Sequence, residues 1–352
     1  MSLTVVTTTI HVPTFLSAYA RNAKQYGSEV NFIVVGDLKT PPEARGFCAT
    51  VPNCEYMGRE EQDEYLKGFP ELAGHLPWNT IARRNVGHLK AYRDGAEAIL
   101  MLDDDNLATN HDFAWWHGNV GKYTPLPTYE SRNGWMNVCA ALVEAHGVEF
   151  YPRGYPPRMR WRDAVVTHHE DTNTVAANAG LWLNDPDIDA LTRLERRLLT
   201  TGKTPGWPEQ FALQPGTWCP FNCQNTAISR AALPSYFLSP HAGRHLDIWA
   251  SYVTTRCAEH LGEVVSFGLP LAFHDRSPHN LYGDLRDELP WVEATDAFCD
   301  ALRGAEVGGR TYPEAFASVI EGLRSGWQPD PAVKGRYVDG LLAWQRTFER
   351  LG

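Results

Sequence analysis

Apolar positions along the chain fall into short runs separated by amphipathic or polar stretches. Residues 3–9 (LTVVTTT) read as a first strand, 15–26 as a helix, and 31–35 as a second strand ending at Gly36-Asp37. Strand, helix, strand at that spacing predicts a βαβ unit with a parallel, right-handed crossover. Asn79 or Thr80 can cap a helix running to about Ala96, with the apolar stripe Ala82, Val86, Leu89, Tyr92 and Ala96. Ala98-Ile99-Leu100-Met101-Leu102 is then a run suited to a strand buried on both faces. Residues 38–78 are rich in proline, glycine and charge, and little is predicted there; 118–135 read as a polar connection and 136–142 as a strand. Pro152, Pro156 and Pro157 exclude regular helix from the basic loop 151–162. A strand is predicted over 175–183, with a turn at 184–187. A helix is predicted over 244–261, with Leu246, Trp249, Val253, Cys257 and Leu261 inward and Gly262 past its end. A strand follows at 263–268, and helices from 285 onward. Together these predict an α/β fold: a doubly wound, mostly parallel sheet flanked by helices. Its main domain covers 1–284, with a C-terminal helical extension over 285–352.

The candidate chemistry sits at the end of the 98–102 run, where Asp103-Asp104-Asp105 follow directly. Ligands of open α/β sheets bind at the carboxyl ends of strands. Adjacent carboxylates repel unless a positive group neutralises them. A divalent cation carrying a diphosphate does so, with hard oxygen donors on both sides, which is the Asp-x-Asp logic of nucleotide-sugar enzymes. An acidic strand-end turn with an Asx cap is the plainer alternative.

Composition narrows the classes. The chain has 352 residues, 43% hydrophobic and 21% charged, enough for a sizeable core. A net charge of −10 without a Lys/Arg cluster argues against nucleic-acid binding. No apolar stretch approaches the ~20 residues of a membrane span, and the N-terminus lacks the basic and apolar regions of a signal peptide. Seven scattered cysteines suit a reducing cytoplasm better than a disulfide framework. Cys219 and Cys223 lack a second pair for a zinc site. His168-His169-Glu170-Asp171 reads as a solvated loop rather than a metal cluster.

An ordered set of short motifs carries a resemblance. Gly180-Leu181-Trp182-Leu183-Asn184, followed by Pro186-Asp187 and Asp189-Ala190, is similar to a signature of the reversibly glycosylated polypeptides, the UDP-arabinopyranose mutases and their bacterial relatives. In the same order stand Thr8-Thr9-Ile10, Arg84 with Gly87, the acidic triplet, Arg153-Gly154-Tyr155-Pro156, Asp247-Ile248-Trp249-Ala250, and Gly268-Leu269-Pro270 with His274. The resemblance spans residues 3–300 and implies a GT-A-like fold, a UDP-sugar substrate and Mn²⁺ or Mg²⁺. It also implies reversible transfer of the sugar to an arginine of the protein itself.

The resemblance assigns expected roles. Asp103 and Asp105, with His274 as a third ligand, would hold the metal; His279 competes with His274. Asp103, Arg84 and Arg160 would contact the nucleotide and its diphosphate, which a planar guanidinium suits. By analogy with other doubly wound nucleotide sites, Asp37 at the end of strand two would receive the uracil or ribose, and Thr8 and Thr9 would line the base pocket. Arg153 would accept the sugar, with Asp247 as base or electrostatic stabiliser and Asp104 beside them as a catalytic carboxylate. The plainer alternatives are a solvated helix-face arginine at 84, a loop cation at 153 and a backbone-bonded loop histidine at 274. The expected function is pyranose–furanose exchange of a UDP-sugar with self-glycosylation. The alternatives are a glycosyltransferase with an external small-molecule acceptor and a non-catalytic partner subunit of a homo- or hetero-oligomer. A nucleotidyltransferase is disfavoured because no Gly-rich phosphate loop follows strand one.

Overall fold

The computed structural model describes residues 2–162 and 165–351. β1 (Leu3–Thr9) is buried along almost its whole length. The crossover through α1 (Leu16–Tyr26) leads to β2 (Val30–Gly36), parallel to β1 with Leu3 opposite Val30 and Thr9 opposite Gly36. α2 (Glu43–Cys48) leads to β3 (Cys54–Met57), parallel to β2. After α3 (Arg59–Leu66) and α4 (Pro70–Ala73), the Thr80 hydroxyl caps a 3₁₀ turn by accepting from the Ala82 N–H. That turn runs into α5 (Arg84–Arg93), and β4 (Ala98–Leu102) returns on the other side of β1, again parallel. The order β3-β2-β1-β4 therefore reverses direction at β1. The carboxyl ends of β1 and β4 flank the crevice where such sheets bind ligands.

The second half contains β5 (Asn106–Ala108), α6 (Phe113–Trp116), β6 (Tyr123–Ser131), β7 (Leu142–Glu144), β8 (Val166–Asn184), α7 (Ala190–Glu195), β9 (Thr200–Lys203), β10 (Gln210–Leu213) and β11 (Asn225–Ser229). α8 (Leu246–His260), β12 (Val264–His274), α9 (Leu281–Gly304), α10 (Tyr312–Gly326) and α11 (Pro331–Leu351) complete the chain. β11 joins β4 antiparallel, and the sheet continues through β8, β6, β10, β12 and β5 with parallel and antiparallel joins. β12 also runs parallel beside β8, which brings His274 opposite Asn184. The α/β class expected from the sequence is observed.

Four sequence readings need correction. The 118–135 segment contains β6, a nine-residue strand antiparallel to β8. Its Pro125 and Pro127 lie outside the Thr128–Tyr129 pairing with β10, where a missing N–H leaves the ladder intact. Residues 136–142 are not a strand: Asn137 caps a 3₁₀ turn over Val138–Ala141, and β7 begins only at Leu142. His168 to Asp171 form part of β8, paired to β6, rather than a loop. β12 continues past Gly268 to His274 by shifting register around Pro270.

Period-two alternation divides the core between the two faces of the sheet. Val5, Phe32, Val34 and Leu100 pack with Leu16 and Tyr19 of α1. Val6, Ile33, Val35 and Met101 pack with Val86 and Leu89 of α5. Gly87 allows α5 to lie at backbone distance from the sheet, because a Cβ there would stand 2.5 Å from Val6 Cγ1 and 2.8 Å from Val35 Cγ2. The C-terminal helices join the second face: Trp249 of α8 stacks on Phe298 of α9 at 4.1 Å, with Trp327 and Tyr337 edge-on. Among the described residues no helix is long and apolar enough to cross a membrane.

Candidate active site

A cleft of ≈ 790 Å³ opens at the carboxyl ends of β1 and β4. Of the residues named from sequence, Thr8, Thr9, Asp37, Arg84, Asp103, Asp104, Asp105, Arg153, Asp247 and His274 line it. Arg160 lies outside that lining. It bonds Asp189 at 2.6 Å and the Tyr155 carbonyl at 3.3 Å, so its guanidinium is engaged with the protein. Lys39, Arg193, Arg244 and Arg276 supply cations to the cleft that sequence reasoning did not single out.

At the β1–β4 end each acidic residue has a separate partner. Arg84, 1% exposed, crosses beneath the triplet. Its Nη2 donates to Asp103 Oδ1 at 2.6 Å and Thr8 Oγ1 at 3.1 Å, and its Nη1 to the Cys223 carbonyl at 2.9 Å. Burial pushes the Asp103 carboxyl up to about 6 against the pull of Arg84, and the neighbouring Asp105 adds to the rise. Thr9 Oγ1 donates to Asp104 Oδ2 at 2.7 Å. Asp37 accepts the backbone N–H groups of Leu38, Asn79 and Thr80 at 2.7, 2.8 and 3.2 Å, so it also shapes the loop beside it.

His274 faces Asp105, with Nε2 3.3 Å from Oδ2. Its Nδ1 lies 2.7 Å from the Asp185 carbonyl, which can only accept, so Nδ1 carries a proton. Burial opposes charge on both groups, but their mutual contact raises the His274 pKa and lowers that of Asp105. Among the described residues no three His, Cys, Asp or Glu side chains are gathered as a metal-holding group. The Asp105–His274 pair is a two-donor set, with one oxygen of Asp103 already held by Arg84. Two protein donors suit a hard divalent cation that completes its shell with phosphate and water.

Arg153 lies at the other end. Its Nε donates to both oxygens of Asp187 at 2.9 and 3.2 Å. Nη1 and Nη2 form a fork on Asp247 at 3.1 and 2.8 Å, and Nη1 also reaches the Arg244 carbonyl. One Nη2–H remains, the fifth donor of a guanidinium. Burial opposes the Arg153 charge, but the two carboxylates outweigh it and hold the group more firmly protonated than usual. Asp187 is depressed in turn to about 2: burial opposes its charge and Arg153 and Asn222 overcome it. Asp247 sits in the first turn of α8, where the helix dipole favours a carboxylate. The glycine after Arg153 is dictated by packing: Gly154 has φ +78°, and a Cβ would lie 2.2 Å from Ile248 Cγ2.

UDP-arabinopyranose mutase 1 of Arabidopsis thaliana is 24% identical over 213 residues, covering 58% of this chain and 56% of that protein. Probable UDP-arabinopyranose mutase 2 of Solanum tuberosum is 30% identical over 217 residues, covering 58% and 54%. The chain is similar to the UDP-arabinopyranose mutases over that shared part. It spans about half the length of the curated relatives it matches. No family model matches it. A crystal structure of glucosyl-3-phosphoglycerate synthase from Mycobacterium tuberculosis with Mn²⁺, uridine-diphosphate and phosphoglyceric acid is similar at TM-score 0.42 and 14% identity, covering 88% of this chain and 80% of that one.

Sequence reasoning quoted Asp187 without giving it a role, and passed over Asn222 and Gln224. The proline-rich turn around Arg153 does not by itself signal a buried counter-charge. Nothing in the order of residues says which of the many aspartates supplies it.

Proposed function

We propose that the chain is a metal-dependent nucleotide-sugar enzyme that exchanges pyranose and furanose forms of a UDP-sugar such as UDP-arabinose, through transient attachment of the sugar to Arg153. The observation that carries this reading is the Arg153 guanidinium clamped between Asp187 and Asp247 in the same cleft as the acidic triplet. Asp105 and His274 would hold the cation, which when bound would supply positive charge against the diphosphate. Thr8, Thr9 and the Asp37 loop form the nucleoside end, and Lys39 and Arg276 offer positive charge to the phosphates.

A protonated guanidinium is a poor nucleophile, so proton removal must accompany bond formation. As the bond between C1 and the β-phosphate oxygen breaks, its electron pair leaves with UDP. Nη2 attacks C1, and its proton passes to Asp247, whose oxygen already lies 2.8 Å away. The resulting glycosylguanidinium, still a cation held by Asp187, can open and reclose its ring through a different hydroxyl. The reverse transfer then returns the sugar to UDP and the proton to nitrogen.

The test incubates the protein with UDP-arabinopyranose and Mn²⁺, followed by intact-protein mass and nucleotide-sugar chromatography. A pentose-sized mass gain and a furanose product are expected in the wild type, and neither in Arg153→Lys. UDP release without either product in the wild type would replace this reading with transfer to an external acceptor.

A further inference from the structure

Residues 222–224 connect the two ends of the cleft through side-chain amides. Asn222 Nδ2 donates to Asp187 Oδ2 at 2.7 Å and to Gln224 Oε1 at 3.1 Å, while Asn222 Oδ1 accepts the Gln224 backbone N–H at 3.1 Å. Two of these partners fix the direction of the amide. A backbone N–H can only donate, so Oδ1 must face it. The Asp187 carboxylate, held ionised by Arg153, can only accept, so Nδ2 must face it.

The direction of the next amide follows. The second Nδ2–H of Asn222 needs an acceptor, so Gln224 turns Oε1 towards it. Gln224 Nε2 therefore points the other way, 3.4 Å from His274 Nε2. A primary amide nitrogen carries two hydrogens. Apart from this contact, in which His274 Nε2 accepts only while it is unprotonated, the Gln224 amide nitrogen has no partner among the described residues, although Gln224 is only 8% exposed and lines the cleft. A buried donor left unsatisfied is costly, which makes an acceptor on a bound ligand its natural complement.

We propose that Gln224 is a substrate-contacting residue, donating its free Nε2–H to an oxygen of the sugar–phosphate group, and that Asn222 is the positioning residue that fixes the direction of this amide. The proposal rests on the nucleotide-sugar reading above. Along the bonded series His274–Gln224–Asn222–Asp187–Arg153, Gln224 stands between the diphosphate end and the sugar-accepting end. The bond to be broken must span that interval. A donor there meets either the phosphate oxygen that gains charge as the sugar leaves, or the hydroxyl beside C1. The first contact strengthens as the bond breaks and acts on the transition state. The second orients the sugar. A neutral amide does either without adding a cation to the cluster.

The test uses Gln224→Met, which keeps the length and removes the donor, and Asn222→Asp. In the latter, Gln224 would rotate to give Nε2 to the new carboxylate and present Oε1 to substrate. Thermal melts establish folding, calorimetry with Mn²⁺ gives affinities for UDP and UDP-arabinopyranose, and turnover gives kcat. In both variants UDP affinity is expected to stay within about threefold, with kcat about a hundredfold lower. The double variant should be no worse than Gln224→Met alone. Loss confined to kcat assigns the bond to the phosphate oxygen. A loss of affinity for the UDP-sugar but not for UDP assigns it to the hydroxyl. Wild-type kcat and UDP-sugar affinity in a folded Gln224→Met protein would overturn the proposal, as would an equal loss for UDP and UDP-sugar with kcat intact. If the wild type binds UDP-sugars but turns none over, the proposed function fails while Gln224 is still tested by the two affinities.

Discussion

Replacing Asp187 with asparagine keeps the shape of the side chain and removes the charge that holds Arg153. The Asp187 carboxyl falls from an ordinary 3.8 to about 2 in the folded protein. That difference corresponds to about 2.4 kcal/mol of stability at pH 7. The folded carboxyl is the stronger acid, so its contribution is complete above the unfolded value and drains away as pH falls from about 4 towards about 2. At pH 3 about 1.3 kcal/mol remains. Urea unfolding of wild type and Asp187→Asn at pH 7, 5 and 3, followed by tryptophan fluorescence, should give a stability gap near 2 kcal/mol at the two higher values and close to half that at pH 3. A gap independent of pH would mean that Asp187 acts through packing and hydrogen bonds alone, and would refute the charge argument. A gap that widens on acidification would reverse its sign.

Two further substitutions probe the scaffold beneath the site. Gly154→Ala should destabilise by about 1–3 kcal/mol, because it combines a positive φ with a collision against Ile248; urea midpoints measure it, and a neutral outcome would mean that the arginine loop is not seated on α8. Arg84→Met should cost about 3 kcal/mol by leaving Asp103 without its buried counter-charge. Adding Asp103→Asn should recover part of that loss in the same unfolding assay, whereas additive losses would contradict the pairing.

The elements legible in the sequence are those whose environment is uniform. β4 is buried on both faces and reads as an unbroken apolar run, and β1 and β2 are buried almost throughout and read as short stretches rich in apolar and β-branched residues. β6 did not read as a strand because prolines normally mark loops, and here they occupy positions that β10 does not pair. β8 was seen only in its apolar half; the first half, His168 to Asp171 included, is exposed and depends on β6 for its conformation. Of the site, the residues delivered by strand ends and recurring motifs were legible, from Thr8 to His274. Asp187, Asn222 and Gln224 were not, because their part depends on the β11 approach folding back beside the 184–187 turn, a contact between segments more than thirty residues apart. The partner of Arg160 was not legible for a similar reason: Asp189 lies 29 positions away.

Gly87 never touches the cleft, yet it sets the depth at which α5 rests on β1 and β2. Arg84 lies three residues earlier on that helix, and its span from helix to Asp103 is fixed by this seating. A methyl group at position 87 would act as a shim, lifting the helix and lengthening the Arg84–Asp103 ion pair under the triplet. A position with no side chain thus gauges the electrostatics of a site it does not line. A screen for nucleotide binding would recover it as a functional residue, although no inventory of ligand contacts would contain it.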